Sequence, residues 1–277
     1  MTGNAVRPHG YVEFGDGAKA EGDWNVWRAR GKTFLVEWCD PQRPSASLKR
    51  SSEAETIAVF PAGGGRIGFA GASAPVPGRT IAIIPAGAHE IDSDGDGPII
   101  LLSPLCPAKP KVAALNDGDY DDATPEGMQV VHAGAVSVDR LQVIPVDRII
   151  PPADKPRLKI VRSATISVSW IEYDGLRDRT KLSPHDHADF EQGSLAIEGA
   201  YIHHLRVPWG ADATAWRDDL HLKASPRSLC VIPPRMIHTT EGQGEGRHIL
   251  LDIFAPARAD FIAKGWVFNQ IAYAAAK

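Results

Sequence analysis

The stretch SPHDHADFEQGSLAIEGA (183–200) holds two histidines one residue apart, an adjacent Glu-Gln pair and an apolar run that ends in Glu-Gly. Side chains alternate across an extended strand, so His185 and His187 are expected on the same face. Two imidazoles that point the same way form half of a metal site. Glu191 or Gln192 could supply a third ligand, and the stretch alone leaves that choice open.

The composition indicates a soluble globular protein. Its 277 residues suffice for one large domain or two of ordinary size. The formal charge of −4 gives no electrostatic reason to bind nucleic acid or an anionic membrane surface. The N-terminus lacks a signal-peptide pattern, and no apolar run reaches the roughly 18 residues that a membrane helix needs. We therefore expect a cytoplasmic protein whose partner is a small molecule.

Most of the chain consists of short apolar segments, rich in β-branched residues, between Gly, Pro and Asp clusters. This pattern predicts an all-β fold, with a short helix near the C-terminus. Three segments of the first half recur in the same order in the second, which predicts a duplicated β unit. The matched pairs are ETIAVFPAG (55–63) with EQGSLAIEG (191–199), RTIAIIP (79–85) with RSLCVIP (227–233), and GPIILLSPL (97–105) with GRHILLDIF (246–254).

The repeat predicts two β domains, over residues 1–110 and 156–277. Residues 111–155 between them are rich in Pro, Asp and Ala and are predicted to connect the domains. Within this connection MQVVHAG (128–134) and DRLQVIPV (139–146) are candidates for an added or swapped edge strand.

A further metal donor is His238, in VIPPRMIHTT (231–240), which follows a predicted strand and a proline-fixed turn. In a β-barrel it can meet His185 and His187 from a strand remote in sequence. Three imidazoles with one oxygen donor suit a single divalent transition metal, Fe, Mn, Ni, Co or Zn, and ligand type alone does not separate these ions.

HDHADFEQGSLAIEG followed by SLCVIPPRMIH resembles the two motifs of the cupin superfamily, in which HxH, Glu or Gln, Gly and a later His recur at set spacings. The resemblance implies two double-stranded β-helix barrels of jelly-roll type, a bicupin. Cupins frequently dimerise, which makes a homodimer an expectation from the resemblance alone. The motif spacing, counted back from Gly199, favours Gln192 as the third ligand. Small Ser194 and Ala196 on the same strand face leave room for a metal, whereas Glu191 shares its face with bulky side chains.

HILLDIFAPARADF (248–261) resembles the ending of small cupins related to the pectin-degradation protein that linearises unsaturated uronates. In that family the Asp and Arg of this ending act in proton transfer and substrate binding. The resemblance therefore implies that Asp252 is a general acid/base and that Arg258 binds a substrate carboxylate.

The repeat also makes a prediction about the first half. The positions that match His185, His187 and Gln192 fall near Lys49, Ser51 and Thr56, and His89 is the one candidate ligand that survives. A single imidazole does not hold a metal, so the N-terminal unit is expected to be a degenerate, metal-free cupin.

Together these features predict a metal-dependent bicupin that acts on a sugar acid or keto acid. A neutral glutamine ligand leaves the metal its full charge, which favours Lewis-acid isomerase or lyase chemistry. A non-haem Fe(II) dioxygenase and a non-catalytic binding protein remain as alternatives.

Overall fold

The computed structural model describes residues 6–105, 113–120 and 137–274. Within these residues the chain is mostly β-sheet, with one short α-helix, α1 (Ala259–Ala263), and every strand pair is antiparallel. The all-β class and the C-terminal helix are therefore confirmed. MQVVHAG (128–134), predicted as a possible edge strand, lies outside the described residues.

The twenty strands of the described residues form two large sheets and two small ones. In the order in which its strands lie side by side, the seven-stranded sheet contains β12 (Gln142–Pro145), β9 (Thr80–Ile84), β6 (Thr56–Phe60), β11 (Ile99–Pro104), β4 (Phe34–Pro41), β3 (Trp24–Arg30) and β2 (Lys19–Glu21). In the same spatial order, the four-stranded sheet contains β5 (Ser47–Ser52), β10 (Gly87–Ser93), β7 (Gly65–Phe69) and β8 (Ala72–Val76). The six-stranded sheet contains β1 (Gly10–Glu13), β18 (Ser228–Ile232), β15 (Gln192–Glu198), β20 (Arg247–Phe254), β14 (Ser167–Asp174) and β13 (Leu158–Arg162). The three-stranded sheet contains β17 (Leu220–Ala224), β16 (Ala200–Arg206) and β19 (Ile237–Gln243). Short 3-10 helices lie at Asp117–Asp119, Val146–Arg148, Arg179–Lys181, Ala213–Ala215 and Gln270–Tyr273.

Three inner strands of the large sheets are mainly apolar and buried along their whole length because both of their faces are covered. Every residue of β6 (TIAVF), β9 (TIAII) and β18 (SLCVI) is buried. A strand covered on both faces reads as a continuous apolar run, whereas a strand with one wet face alternates. Strand β10, in the small four-stranded sheet, alternates in this way.

The largest hydrophobic core joins the two large sheets back to back. It contains Trp38 and Ile57 from the seven-stranded sheet and Trp170 and Leu251 from the six-stranded sheet, all of them buried. The opposite face of the seven-stranded sheet packs on the four-stranded sheet through a second core. The six-stranded sheet packs on the three-stranded sheet through smaller clusters, which leaves room for a cavity.

The duplication is visible in the strand order of the two large sheets. The order β12-β9-β6-β11-β4-β3 corresponds, strand for strand, to β1-β18-β15-β20-β14-β13. Strand β1, from the N-terminus, completes the sheet of the second half, and β12, from DRLQVIPV, pairs with β9 in the sheet of the first half. These edge strands cross the predicted domain limits.

Two predicted features of the fold are not confirmed by the strands that the structure describes. Among the described residues no sheet closes on itself into a barrel, so the two barrels stay a prediction. The HxH segment is predicted to be a strand, but in the structure it precedes β15 and contributes one isolated antiparallel bridge, from His185 to His238 in β19 of the three-stranded sheet. No described helix has the length and apolar character needed to span a membrane.

Candidate metal centre

The structure brings His185, His187 and His238 together at one point. His238 is the second residue of β19, and reciprocal backbone hydrogen bonds of 3.0 and 2.8 Å tie it to His185. One ring nitrogen from each of the three imidazoles lies within 4.8 Å of the others. The bridge therefore fixes the spacing of residues that are more than fifty positions apart in sequence.

Gln192 and Glu191 point to opposite sides of their strand. Gln192 Oε1 lies 3.0 Å from His187 Nε2 and 3.1 Å from His238 Nε2. Glu191 is buried on the other face, where it pairs with Arg7 and accepts a 2.6 Å hydrogen bond from the Lys32 backbone N–H. Burial raises the pKa of Glu191, and Arg7 and Lys32 oppose that rise. Glu191 thus joins the N-terminal arm to the sheet, and Gln192 is the residue beside the histidines.

Hydrogen-bond acceptors converge between these side chains. The His238 Nδ1 lies 2.9 Å from the Met236 carbonyl, which can only accept, so Nδ1 carries the proton and Nε2 presents a lone pair. Gln192 Nε2 donates to Ser194 Oγ at 3.0 Å, which turns its Oε1 toward His238 Nε2. With the other tautomer, Nδ1 would face the Met236 carbonyl unprotonated. Either neutral tautomer therefore leaves one acceptor against another.

The His187 and His238 imidazoles stay unprotonated at neutral pH, so protonation does not relieve the contact between His238 Nε2 and Gln192 Oε1. Burial lowers the pKa of His238 to about 3 and the pKa of His187 to about 4. Phe190 stacks on the His187 ring at 4.7 Å and Phe254 meets it edge-on at 5.6 Å, which excludes water on that side. The two acceptors are therefore buried and uncharged, and a cation bound between them would give both lone pairs a partner.

Asp252 is connected to the same group through a short hydrogen-bond chain. Ser194 Oγ donates to Asp252 Oδ1 at 2.7 Å and accepts from Gln192 Nε2. Burial raises the pKa of Asp252 to about 6, and the bond from Ser194 opposes the rise. The carboxyl lies in the wall of the cavity that also contains His185, His238 and Gln192.

This cavity has a volume of about 250 Å³ and opens between the six-stranded and three-stranded sheets. Its outer wall carries cationic side chains that the sequence analysis did not single out, Arg157 and Arg177 together with Lys155, and one acid, Asp154. Both guanidinium groups lie over the Tyr173 ring, at 5.4 and 5.6 Å from its centre. Among the described residues neither arginine has a carboxylate partner. Arg157 precedes β13 and Arg177 lies in the turn after β14, where no local motif marks them.

Arg258 is not among the residues that line this cavity, and its predicted role in binding the substrate stays a prediction. The guanidinium pairs with Asp260 through two hydrogen bonds of 2.7 Å and lies over three aromatic rings, the nearest being Phe261 at 4.0 Å. The Arg258 side chain thus packs on the aromatic rings that surround His187, including Phe190.

The first half has different side chains at the equivalent positions. His89 pairs with Arg50 across β10 and β5, just as His238 pairs with His185. This register makes Arg50 and Ser52 the counterparts of the HxH histidines, one residue beyond Lys49 and Ser51, near which the sequence alignment placed them. His89 is the direct counterpart of His238.

No protein-family model matches the chain, and no curated protein matches it in sequence. Solved structures of oxalate decarboxylase do match in fold. One, concerned with proton-coupled electron transfer, has 14% identity and a TM-score of 0.61 over 90% of this chain and 78% of that chain. A second, on substrate binding mode and reaction specificity, has 14% identity and a TM-score of 0.62 over 91% and 78%. A tryptophan-to-tyrosine variant of the Bacillus subtilis enzyme has 14% identity and a TM-score of 0.62 over 92% and 79%. Oxalate decarboxylases are bicupins of the cupin superfamily, and at this identity the likeness shows that this chain shares their fold.

Proposed function

We propose that the chain is a metal-dependent enzyme of the bicupin type that acts on a small organic acid. One observation carries the proposal. The lone pairs of His238 Nε2 and Gln192 Oε1 face each other at 3.1 Å in a buried site that His185 and His187 complete. A cation among these four side chains turns a repulsive contact into an attractive one. The proposal includes a metal-free first unit, in which Arg50 stands where His185 stands in the second.

The donor set fits a divalent transition metal. Three neutral imidazoles and an amide oxygen are suitable ligands for Fe, Mn, Ni, Co or Zn. When bound, the ion supplies a Lewis acid for an oxygen of the substrate. Because none of the four ligands is anionic, the ligands themselves do not compensate the charge of the ion, and an acidic substrate would add compensation.

We assign proton transfer to Asp252 and the binding of a substrate carboxylate to Arg157 and Arg177. Asp252 lies in the cavity wall, and its bond to Ser194 orients the carboxyl, so that it can take up or release a proton at Oδ2. Arg157 and Arg177 offer guanidinium groups to a substrate carboxylate, since their positive charge has no carboxylate partner among the described residues. The substrate would thus span from the metal to the cavity mouth.

The reaction class that we propose is an isomerisation or lyase reaction on a sugar acid or keto acid. The similarity in fold to decarboxylases, which cleave a carbon–carbon bond of a small acid, supports the lyase member of this pair. The resemblance of HILLDIFAPARADF to the uronate-linearising cupins supports an unsaturated uronate as a substrate to test. The neutral ligand set favours Lewis-acid chemistry over the Fe(II) dioxygenase alternative.

The experiment combines metal analysis with a substrate panel. The purified protein is stripped of metal, reloaded separately with the five candidate ions, and assayed with oxalate, unsaturated uronates and short keto acids, with and without oxygen. His238→Ala serves as the variant without the metal site. His248→Ala is its matched control, because His248 is equally buried but lies outside the four proposed ligands.

We expect about one ion per chain, lost in His238→Ala and retained in His248→Ala, and anaerobic turnover of an acid. Iron-dependent oxygen consumption would replace the Lewis-acid mechanism by that of the dioxygenase. Metal binding without turnover of any acid would leave a binding protein. Absence of stoichiometric metal with all five ions would refute the proposal as a whole.

A further inference from the structure

The cavity beside the candidate metal centre has apolar side chains between its metal end and its mouth. Leu158, Ile171 and Leu250 lie directly opposite one another on the neighbouring strands β13, β14 and β20, and all three line the cavity. Tyr201 lines it from the three-stranded sheet and belongs to the same hydrophobic cluster as Leu250 and Ile171. These four side chains form the apolar belt, which has members on both walls of the cavity.

The strand register places the apolar belt between two polar ends. Asp252, two residues beyond the belt along β20, lies on the side of the proposed metal ligands. Tyr173, two residues beyond the belt along the antiparallel β14, lies on the opposite side, and the Arg157 and Arg177 guanidinium groups lie over its ring. Four residues of a strand span about 14 Å, which is the distance along the strands between these two rows. A ligand that meets both the metal and the arginines therefore passes along the belt.

The apolar belt is poor in hydrogen-bonding groups. Its one polar group, the Tyr201 hydroxyl, already donates to the Glu198 carbonyl at 2.9 Å. Thr239 and Thr240 also line the cavity, but they directly follow His238 and so lie toward the metal end. A ligand hydroxyl against the belt would lose its hydrogen bonds to water without replacement, whereas burial of a methylene group there is favourable.

The cavity mouth has an excess of positive charge. Arg157, Arg177 and Lys155 line it together with one acid, Asp154. Burial lowers the pKa of Arg157, and the nearby charge of Arg177 lowers it further. A carboxylate between two guanidinium groups would relieve their repulsion and accept charge-assisted hydrogen bonds from both.

We propose that the substrate is an extended keto acid with a hydrocarbon chain and a second carboxylate at its far end. The inference rests on the proposed function, because it places the keto acid end of the molecule at the metal ligands. The chain lies along the apolar belt, and the far carboxylate meets Arg157 and Arg177. Oxalate, whose two carboxylates are directly joined, is too short to reach both ends of the cavity. Sugar acids place hydroxyl groups against the belt.

The test measures binding to the full chain, both loaded with its preferred ion and stripped of metal. The probe 2-oxoadipate has a hydrocarbon chain and a far carboxylate. The acid 2-oxohexanoate has the same chain length without that carboxylate, and glucarate has both carboxylates but a hydroxylated chain. Titration calorimetry gives the Kd of each.

Two variants change the belt and the mouth separately. Ile171→Thr places a hydroxyl in the apolar belt. Ile202→Thr is its control, because Ile202 is also a half-buried strand residue but is not among those that line the cavity. Arg157→Met removes one positive charge from the mouth. If Ile171→Thr does not fold, Arg157→Met and the wild-type Kd values carry the test.

We expect 2-oxoadipate to bind at least about tenfold more tightly than either comparison acid, also in the metal-stripped protein. Ile171→Thr should reduce the preference over glucarate and Arg157→Met the preference over 2-oxohexanoate, each at least about threefold, whereas Ile202→Thr should change neither. The inference is overturned if glucarate or 2-oxohexanoate binds as tightly as 2-oxoadipate, or if Ile171→Thr and Arg157→Met leave both preferences unchanged.

Failure of this inference differs from failure of the proposed function. A protein that binds its metal and converts oxalate or a uronate, without a preference for 2-oxoadipate, would keep the proposed function and refute this inference. Absence of stoichiometric metal would refute the proposed function, and the Kd values of the metal-stripped protein would then test the belt and the arginines by themselves.

Discussion

Replacement of Gln192, the first residue of β15, and of Glu191, the residue before it, is expected to impair different properties of the protein. Gln192→Leu should weaken metal binding and leave the metal-free fold nearly intact. Glu191→Leu should destabilise the fold and leave metal binding nearly intact. The reason is that the two side chains lie on opposite faces, Gln192 beside three imidazoles and Glu191 against Arg7 and the Lys32 N–H.

The magnitudes follow from the bonds that each change removes. Glu191→Leu removes two hydrogen bonds to a buried carboxylate, each worth about 1.5–3 kcal/mol. Arg7 keeps a quarter of its side chain exposed and lies 4.5 Å from the Tyr120 ring, so part of that cost is recovered. We expect a loss of about 3 kcal/mol, and about half of that for Glu191→Gln, which keeps an oxygen for the Lys32 N–H. Gln192→Leu removes the bond to Ser194, for about 1 kcal/mol.

Urea unfolding of the metal-stripped proteins measures the stability, and titration calorimetry with the preferred ion measures metal affinity. We expect Gln192→Leu to raise the metal Kd at least about tenfold, whereas Glu191→Gln leaves it within about threefold of wild type. The reasoning is refuted if Glu191→Leu loses the metal while Gln192→Leu retains it, or if both variants unfold at the wild-type urea concentration.

Three further predictions concern the cavity and the contact between the two halves. Arg177→Met should raise the Kd of the preferred acid about tenfold in equilibrium binding, whereas Arg258→Met should not, because only Arg177 lines the cavity; equal effects would contradict this assignment. Asp252→Asn should keep the bound metal but lower kcat about a hundredfold, and unchanged turnover would remove Asp252 from proton transfer. Glu172 is partly buried, which raises its pKa, but bonds from Arg79 outweigh this and hold the pKa below its ordinary value. A carboxyl whose pKa is lowered in the folded state stabilises the fold above its unfolded-state pKa, near 4.5, and this stabilisation is lost as pH falls through the folded-state pKa. Glu172→Gln should therefore flatten the acid limb of a plot of stability against pH. An unchanged acid limb would contradict this prediction.

Local pattern alone predicted the strands, because runs such as TIAVF and SLCVI are apolar at every position after the first and have few other ways to be buried. The repeat predicted the duplication, and the equal strand order of the two large sheets agrees with it. Spacing and neighbouring side-chain size also pointed to Gln192 rather than Glu191, since successive residues of an extended chain face opposite sides.

The way in which the strands pair determined which side chains meet in the candidate site and in its counterpart in the first half. The sequence motif implies that Arg258 binds the substrate, and this stays a prediction, but the sequence did not indicate that its guanidinium would pair with Asp260 and lie over a cluster of aromatic rings. Arg157 and Arg177 meet over Tyr173 because β13 and β14 pair, a contact that no local spacing encodes. The pairing of His89 with Arg50 likewise depends on the register of β10 and β5. Sequence periodicity determines which face of a strand a residue occupies, whereas the partner that it meets there depends on how the strands pair in three dimensions.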